Sequence, residues 1–292
     1  MSKSVKITAF AKVNLSLNIE GRADGLHKLD SVMMSVDCFD TVTVTERADE
    51  KITVAFDDPT IDPVRNTAYK AAAAVCGKLH RGADISVQKG IPVGAGLGGS
   101  SADGAAVLRA LDLFYRLPQC GIDMRAAALE VGSDVPFMLT GGLARVGGVG
   151  DELFFIDNKL QTFIVGLMSG DVSTAAAYAE FDRLYPSGVF CPSDNAALCE
   201  KLLDGDPAAL GFLGNALYEP ARTIAPRIAD DAKRLADCGG TVNLTGSGGM
   251  VLGYFTDITA FYECTRKLRN ERGFKVLAPA RTGLLHEWLS RE

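Results

Sequence analysis

Residues 89–103, which read KGIPVGAGLGGSSAD, close a strand-like run with a glycine loop and pass directly into a helix. This junction constrains the chain more than any other segment. Gly94, Gly96, Gly98 and Gly99 let the backbone enter the positive-φ region and approach a ligand closely. The unpaired N–H groups and the positive dipole end of the following helix attract anions. The segment is therefore expected to hold phosphate, and its context has to say which ligand carries it.

Gly94, Gly96 and Gly99 satisfy GxGxxG, the pattern of dinucleotide-binding units. Such a unit needs a strand after the helix and an acidic residue about 20 positions on to take a ribose hydroxyl. Asp112, the nearby candidate, lies within the helix, and residues 117–121 lead into another helical segment, which disfavours an NAD(P) oxidoreductase. The GxxxxGK[ST] loop fails as well, because this loop ends in Ser100 and Ser101 with no lysine. Glycines that serve only a tight turn or helix packing stay open as the plainer alternative. Ser100 and Ser101 favour phosphate, since first-turn hydroxyls can hydrogen-bond it or face its Mg²⁺.

At 292 residues the chain exceeds the size that one core usually serves, so two domains are expected, with a boundary near residue 155 where a strand-rich half gives way to a helix-rich half. A net charge of -6 argues against a nucleic-acid partner gripped through its backbone. Cys38, Cys76, Cys120, Cys191, Cys199, Cys238 and Cys264 are scattered without a CxxC pair, which fits reduced thiols in a cytoplasm better than disulfides or zinc. The N-terminal residues do not resemble a secretion signal, and no apolar run approaches the roughly 20 residues of a membrane span.

Val13, Leu15, Leu17 and Ile19 alternate with Asn14, Ser16 and Asn18, the period of a half-buried strand. Further strands are expected at 41–45, 52–56, 84–88, 162–168 and 274–278, and on either side of a second glycine turn, Thr245-Gly246-Ser247-Gly248-Gly249. Helices are expected at 68–79, 101–115, 123–130 and 174–184 (capped by Ser173), at several places in 195–235, and at 257–270. The pattern is that of an α+β protein of two lobes with a ligand cleft between them.

The block Pro92-x-Gly94-x-Gly96-Leu97-Gly98-Gly99-Ser100-Ser101-Ala102 resembles the phosphate loop of the GHMP kinases, which include galactokinase, homoserine kinase and mevalonate kinase. Ala11-Lys12-Val13-Asn14-Leu15-x-Leu17 and the 245–249 turn agree with that family in order and spacing. Gly21-Arg22-Ala23-Asp24-Gly25-Leu26-His27 and Val131-Gly132-Ser133-Asp134-Val135-Pro136-Phe137 resemble the branch that phosphorylates a cytidine-diphosphate-linked methylerythritol in the non-mevalonate isoprenoid pathway. The resemblance implies a lobe of ribosomal-protein type followed by a ferredoxin-like lobe, and ATP with Mg²⁺ as cofactors. A homoserine, mevalonate or sugar kinase, or a sugar-sensing regulator that lost catalysis, are the alternatives.

The resemblance also implies roles for residues. The loop residues Pro92, Val93, Gly94, Ala95, Gly96, Leu97, Gly98, Gly99, Ser100, Ser101 and Ala102 would wrap the ATP phosphates, with Asn66 near the adenine. Asp134 would receive the proton of the acceptor hydroxyl, and by its position it is equally a helix N-cap. Lys12 would act beside it and, on a strand, should share a face with Asn14. His27, Asn14, Tyr178, Thr245, Gly246 and Ser247 would contact the substrate, His27 through the cytosine and Tyr178 by stacking on it. Leu26 replaces the aromatic residue that the family usually has before this histidine, and base stacking of that kind is worth about 1–3 kcal/mol. The metal ligands and the oligomeric state are left open.

Overall fold

The computed structural model describes residues 3–23, 25–58, 60–62, 64 and 66–289, so Asp24 of the 21–27 block lies outside the described residues. Strands β1 (Ser4–Ala23) and β2 (Leu26–Arg47) form a long antiparallel hairpin, with Ser4 opposite Thr45 and Ala23 opposite Leu26. Next come β3 (Ile52–Phe56), α1 (Thr67–Leu79) and β4 (Gly82–Gln88), with β4 antiparallel to β2 and β3 parallel to β4. Helices α2 (Gly99–Tyr115), α3 (Met124–Val131) and α4 (Val135–Thr140) precede β5 (Leu143–Gly148), which returns to β2, and β6 (Glu152–Phe155), which pairs with β5.

The remaining elements are β7 (Phe163–Met168), α5 (Thr174–Leu184), α6 (Asn195–Asp204), β8 (Gly214–Asn215), α7 (Tyr218–Ile224) and α8 (Arg227–Ala236). They are followed by β9 (Thr241–Leu244), β10 (Met250–Phe255), α9 (Ile258–Leu268), β11 (Lys275–Leu277) and β12 (Leu284–Trp288). A second, antiparallel sheet has the order β11-β7-β10-β9. Its core gathers Val165, Leu167 and Val251 with Ile228 and Leu235 of α8 and Phe261 and Leu268 of α9.

Local sequence explains the helices well. Asn66 caps α1 by accepting from the Tyr69 N–H, Asp123 caps α3, and Ser173 Oγ accepts from the Ala176 N–H to start α5. Each such cap is worth about 1 kcal/mol. Ala68, Ala71 and Ala72 of α1 and Ala102, Ala105 and Ala106 of α2 are all fully buried in one core with Val5, Ile7 and Val13 of β1. Small side chains let the two helices approach closely while both cover the sheet, and truncating a larger neighbour such as Leu108 would cost about 2–5 kcal/mol.

Strands β5, β6 and β8 go beyond those expected, and two further departures bear on how the first sheet is built. The 13–19 strand is buried on both faces, because residues from the second half of the chain cover its polar side and bond to it. Asn18 Nδ2 donates to Ser193 O, Asn243 Nδ2 donates to Leu15 O, each at 2.9 Å, and Asn14 is fully buried. The second feature is the unexpected strand β12, which pairs antiparallel with β1, Val5 opposite Trp288, while β8 lies parallel to β1 on its own stretch. The first sheet thus takes strands from both halves of the chain. Among the described residues, no helix is long and apolar enough to cross a membrane.

Candidate active site

The glycine loop, the Lys12 region of β1, the turn before α4 and the second glycine turn converge on one cavity of about 490 Å³. Every expected loop residue from Pro92 to Ser101 lines it, as do Lys12, Asn14, Asn66, Ser133, Asp134, Tyr178, Gly246 and Ser247. Gly94, Gly96 and Gly98 have φ of +74°, +77° and +72°, and Gly98 is the N-cap of α2, so the start of that helix faces the cavity. This is the anion-holding geometry of a helix N-terminus approached by bare backbone.

The two glycine turns interlock. A Cβ on Gly96 would stand 2.1 Å from Thr245 O, and one on Gly248 would stand 2.2 Å from Gly96 N. Gly249 N donates to Gly94 O at 3.0 Å, closing the contact. Neither turn can carry a side chain at these points without displacing the other.

Lys12 is 3% exposed, and its Nζ donates to Asn14 Oδ1 at 2.6 Å while lying 3.5 Å from Asp134 Oδ2. A Cβ on Gly98 would meet Lys12 Cγ at 3.0 Å, and one on Gly246 would meet its Nζ at 3.2 Å, so the lysine stem is threaded between the two turns. Asn14 in turn accepts from Gly246 N–H at 3.0 Å and donates to Ser31 Oγ at 2.8 Å. Asp134 stands at the N-cap position of α4, yet its carboxylate makes no capping bond and turns toward Lys12. Burial raises the Tyr178 phenol above its ordinary value, and the Asp134 charge adds to the shift.

Three residues of the expected contact set, Ala102, Thr245 and His27, do not line the cavity. Ala102 is fully buried in the first core, because its place in the first turn of α2 faces the sheet rather than the cavity. Thr245 is also fully buried; its Oγ accepts from Asn14 N–H at 3.1 Å and donates to Gly96 O at 3.3 Å, so it braces the wall from behind. Ser247 bonds Thr174 Oγ at 2.8 Å, and Asn66 combines its cap bond with a place in the lining. His27 is not in the lining; its ring stacks on Tyr178 with centroids 4.6 Å apart.

Sequence reasoning missed a charged group under the loop. Lys89 Nζ donates to Asp103 Oδ2 at 2.9 Å and also to Asp40, and both Lys89 and Asp103 line the cavity. Asp40 Oδ1 additionally accepts from the Gly90 and Ile91 N–H groups, pinning the loop's entry. Burial pushes the Asp103 carboxyl well above its ordinary value, with Lys89 opposing and Asp40 reinforcing the rise. The only local signal was the two opposite charges, Lys89 and Asp103, that bracket an uncharged loop, and nothing placed the distant Asp40 beside them.

Residues 66–142 match the model of the GHMP kinases N terminal domain. The chain is 36% identical over 260 residues to the 4-diphosphocytidyl-2-C-methyl-D-erythritol kinase of Desulfitobacterium hafniense, covering 85% of this chain and 86% of the relative. It superposes on a crystal structure of 4-(cytidine 5'-diphospho)-2C-methyl-D-erythritol kinase with a TM-score of 0.75 and 28% identity, covering 94% of this chain and 99% of the other. A homoserine kinase from Cytophaga hutchinsonii shares the fold at a TM-score of 0.72 and 18% identity, over 98% of this chain and 97% of that one.

Proposed function

The chain belongs to the 4-diphosphocytidyl-2-C-methyl-D-erythritol kinases of the GHMP kinase family, and from this premise we propose how its residues perform the transfer. It is a small-molecule kinase that uses ATP. The reaction moves the γ-phosphate of ATP to the 2-hydroxyl of 4-diphosphocytidyl-2-C-methyl-D-erythritol, a step toward isoprenoid precursors that does not pass through mevalonate. The observation that carries the site reading is the Lys12–Asp134 pair standing in the same cavity as the glycine loop.

Phosphoryl transfer leaves a protein little covalent chemistry, so positioning and charge stabilisation dominate. The N–H groups of the 94–99 loop and the start of α2 hold the phosphates. Asp134, 27% exposed and free of capping duty, takes the proton of the attacking hydroxyl. The Lys12 ammonium, oriented by Asn14 and 3.5 Å from Asp134, stabilises the oxygen as it loses its proton.

Mg²⁺ fits this site by donor chemistry. The Ser100 and Thr67 hydroxyls bond each other where α2 begins, and Ser101 follows, which gives hard oxygen donors beside the phosphate loop. Among the described residues no group of three or more His, Cys, Asp or Glu could cage a metal, in keeping with an ion that keeps waters and phosphate oxygens as most of its ligands. Ser100 and Ser101 would hold it, and when bound it neutralises charge on the β- and γ-phosphates. The chain's division near residue 155 is proposed on the two sheets, with β8 and β12 assigned to the first.

The deciding experiment supplies purified protein with Mg-ATP and a panel of acceptor alcohols, and measures ADP release. Turnover is expected with the cytidylyl methylerythritol and not with homoserine, mevalonate or simple sugars. Preference for one of those others, or no ADP release at all, would overturn the assignment.

A further inference from the structure

Tyr178 and Asp182 are four residues apart and therefore share a face of α5. Both meet His27. The Tyr178 ring stacks on it at 29° between planes, Asp182 Oδ1 lies 2.9 Å from His27 Nε2, and Phe181 closes the edge at 5.8 Å. Arg22, directly opposite His27 in the β1–β2 hairpin, pairs with the other Asp182 oxygen. The histidine is thus held on three sides, by two helix side chains and by a carboxylate that Arg22 anchors.

This arrangement decides which ring nitrogen carries the proton. Desolvation opposes ionisation of Asp182, but hydrogen bonds from Arg22 and His27 outweigh it and hold the carboxyl below its ordinary value. An ionised carboxylate only accepts, so the shared proton sits on Nε2, and in the neutral imidazole Nδ1 is then a lone-pair acceptor. Nδ1 has no hydrogen bond among the described residues. Leu26, 59% exposed, adds no aromatic ring beside His27.

We propose that Asp182 is a positioning residue that fixes His27 as a hydrogen-bond acceptor, so that the site selects a nucleobase with an exocyclic amine, as in cytosine, over one with a carbonyl there, as in uracil. The inference rests on the cytidylyl-substrate reading above. It concerns a residue 155 positions from the histidine it orients, on a different element. An acceptor at Nδ1 can take a hydrogen bond from the cytosine amine and would face the uracil carbonyl lone pair to lone pair.

The test compares the wild type with Asp182→Asn, Asp182→Ala and Asp182→Glu on the cytidylyl acceptor and its uridylyl analogue, with imidazole ¹⁵N spectra at pH 8. In the Asn and Ala variants the cytidylyl KM should rise about tenfold and the cytidylyl-over-uridylyl preference should shrink by about the same factor, with the ATP KM within about twofold. The Glu variant should recover part of the preference. The wild-type spectrum should show His27 as the Nε2–H tautomer, and the Asn and Ala variants a mixture. Unchanged preference in both variants, or an Nδ1–H tautomer in the wild type, would overturn the proposal. Wild-type protein inactive on the cytidylyl acceptor would instead remove the substrate reading, and base selection with it, whatever tautomer the spectrum shows.

Discussion

Lys12 and Asp134, 122 positions apart in the chain, meet with Nζ 3.5 Å from Oδ2, and the lysine is held in place by a 2.6 Å bond to Asn14. A cation and a carboxylate at this distance attract each other and fix each other's orientation. The pair stands in the cavity that the glycine loop lines.

Removing the base should therefore spare binding. Asp134→Asn is expected to lower kcat by about 100-fold or more, the scale of general-base loss, with the ATP KM little changed. Steady-state kinetics with both substrates varied would check it, and near-normal kcat would reject the role.

Lys12 and Asp134 should fail as a unit. Lys12→Gln is expected to cost about 100-fold in kcat, and the double variant with Asp134→Asn should lose about as much as the worse single variant instead of the product of the two. A double-mutant cycle on kcat reads this directly. Multiplicative losses would show that the two groups act independently.

Interlocking of the glycine turns makes a distinct prediction for each side. Gly96→Val places a side chain at φ +77°, a left-handed strain of about 1–2 kcal/mol, and against Thr245 O. Gly248→Ala adds no such strain but drives a Cβ into Gly96 N. Both variants should weaken ATP binding at least about tenfold, since the loop must move to admit either side chain. Calorimetric titration with ATP is the measurement, and unaltered affinity in Gly248→Ala would dissociate the second turn from the nucleotide site.

The carboxyl of Asp103 sets a pH dependence of stability. Its folded value lies above the ordinary 3.8 because burial and Asp40 outweigh Lys89. The folded protein consequently holds a proton that the unfolded chain has already released, so this group's contribution is complete below about pH 4 and is lost as pH rises through the folded value. Asp103→Asn removes the dependence. The Tm of the wild type relative to this variant should fall between about pH 5 and about pH 9, and a difference that grows in the other direction would contradict the assignment.

Much of the fold was legible because it is local. Asn66, Asp123, Ser173 and Asp257 sit at helix starts, where their side chains bond the first free N–H groups, and the alanine-rich run 68–79 becomes α1. The helix after the glycine loop begins at Gly99, two residues before the expected Ser101, since glycine at N1 gives no propensity signal. The family's motifs brought Lys12, Asn14, Asp134 and the loop together as candidates, and the geometry gathers them in one cavity.

What stayed illegible depends on partners distant in sequence. Alternation in Val13–Ile19 reports two chemically different faces of a strand; it could not report that Asn243 and Ser193 cover the polar one. The same holds for β12, for Thr245 facing inward, for Ala102 facing the sheet, and for the union of Lys89 with Asp40 and Asp103.

By itself the sequence determined where glycine must stand, where helices start, and that a glycine loop runs into the start of α2, because backbone freedom and capping act within a few residues. The tertiary structure alone decided which charges meet. Lys12 finds Asp134 and Asp182 finds His27 through the packing of whole elements, and a buried charge is tolerated only where that packing delivers its partner.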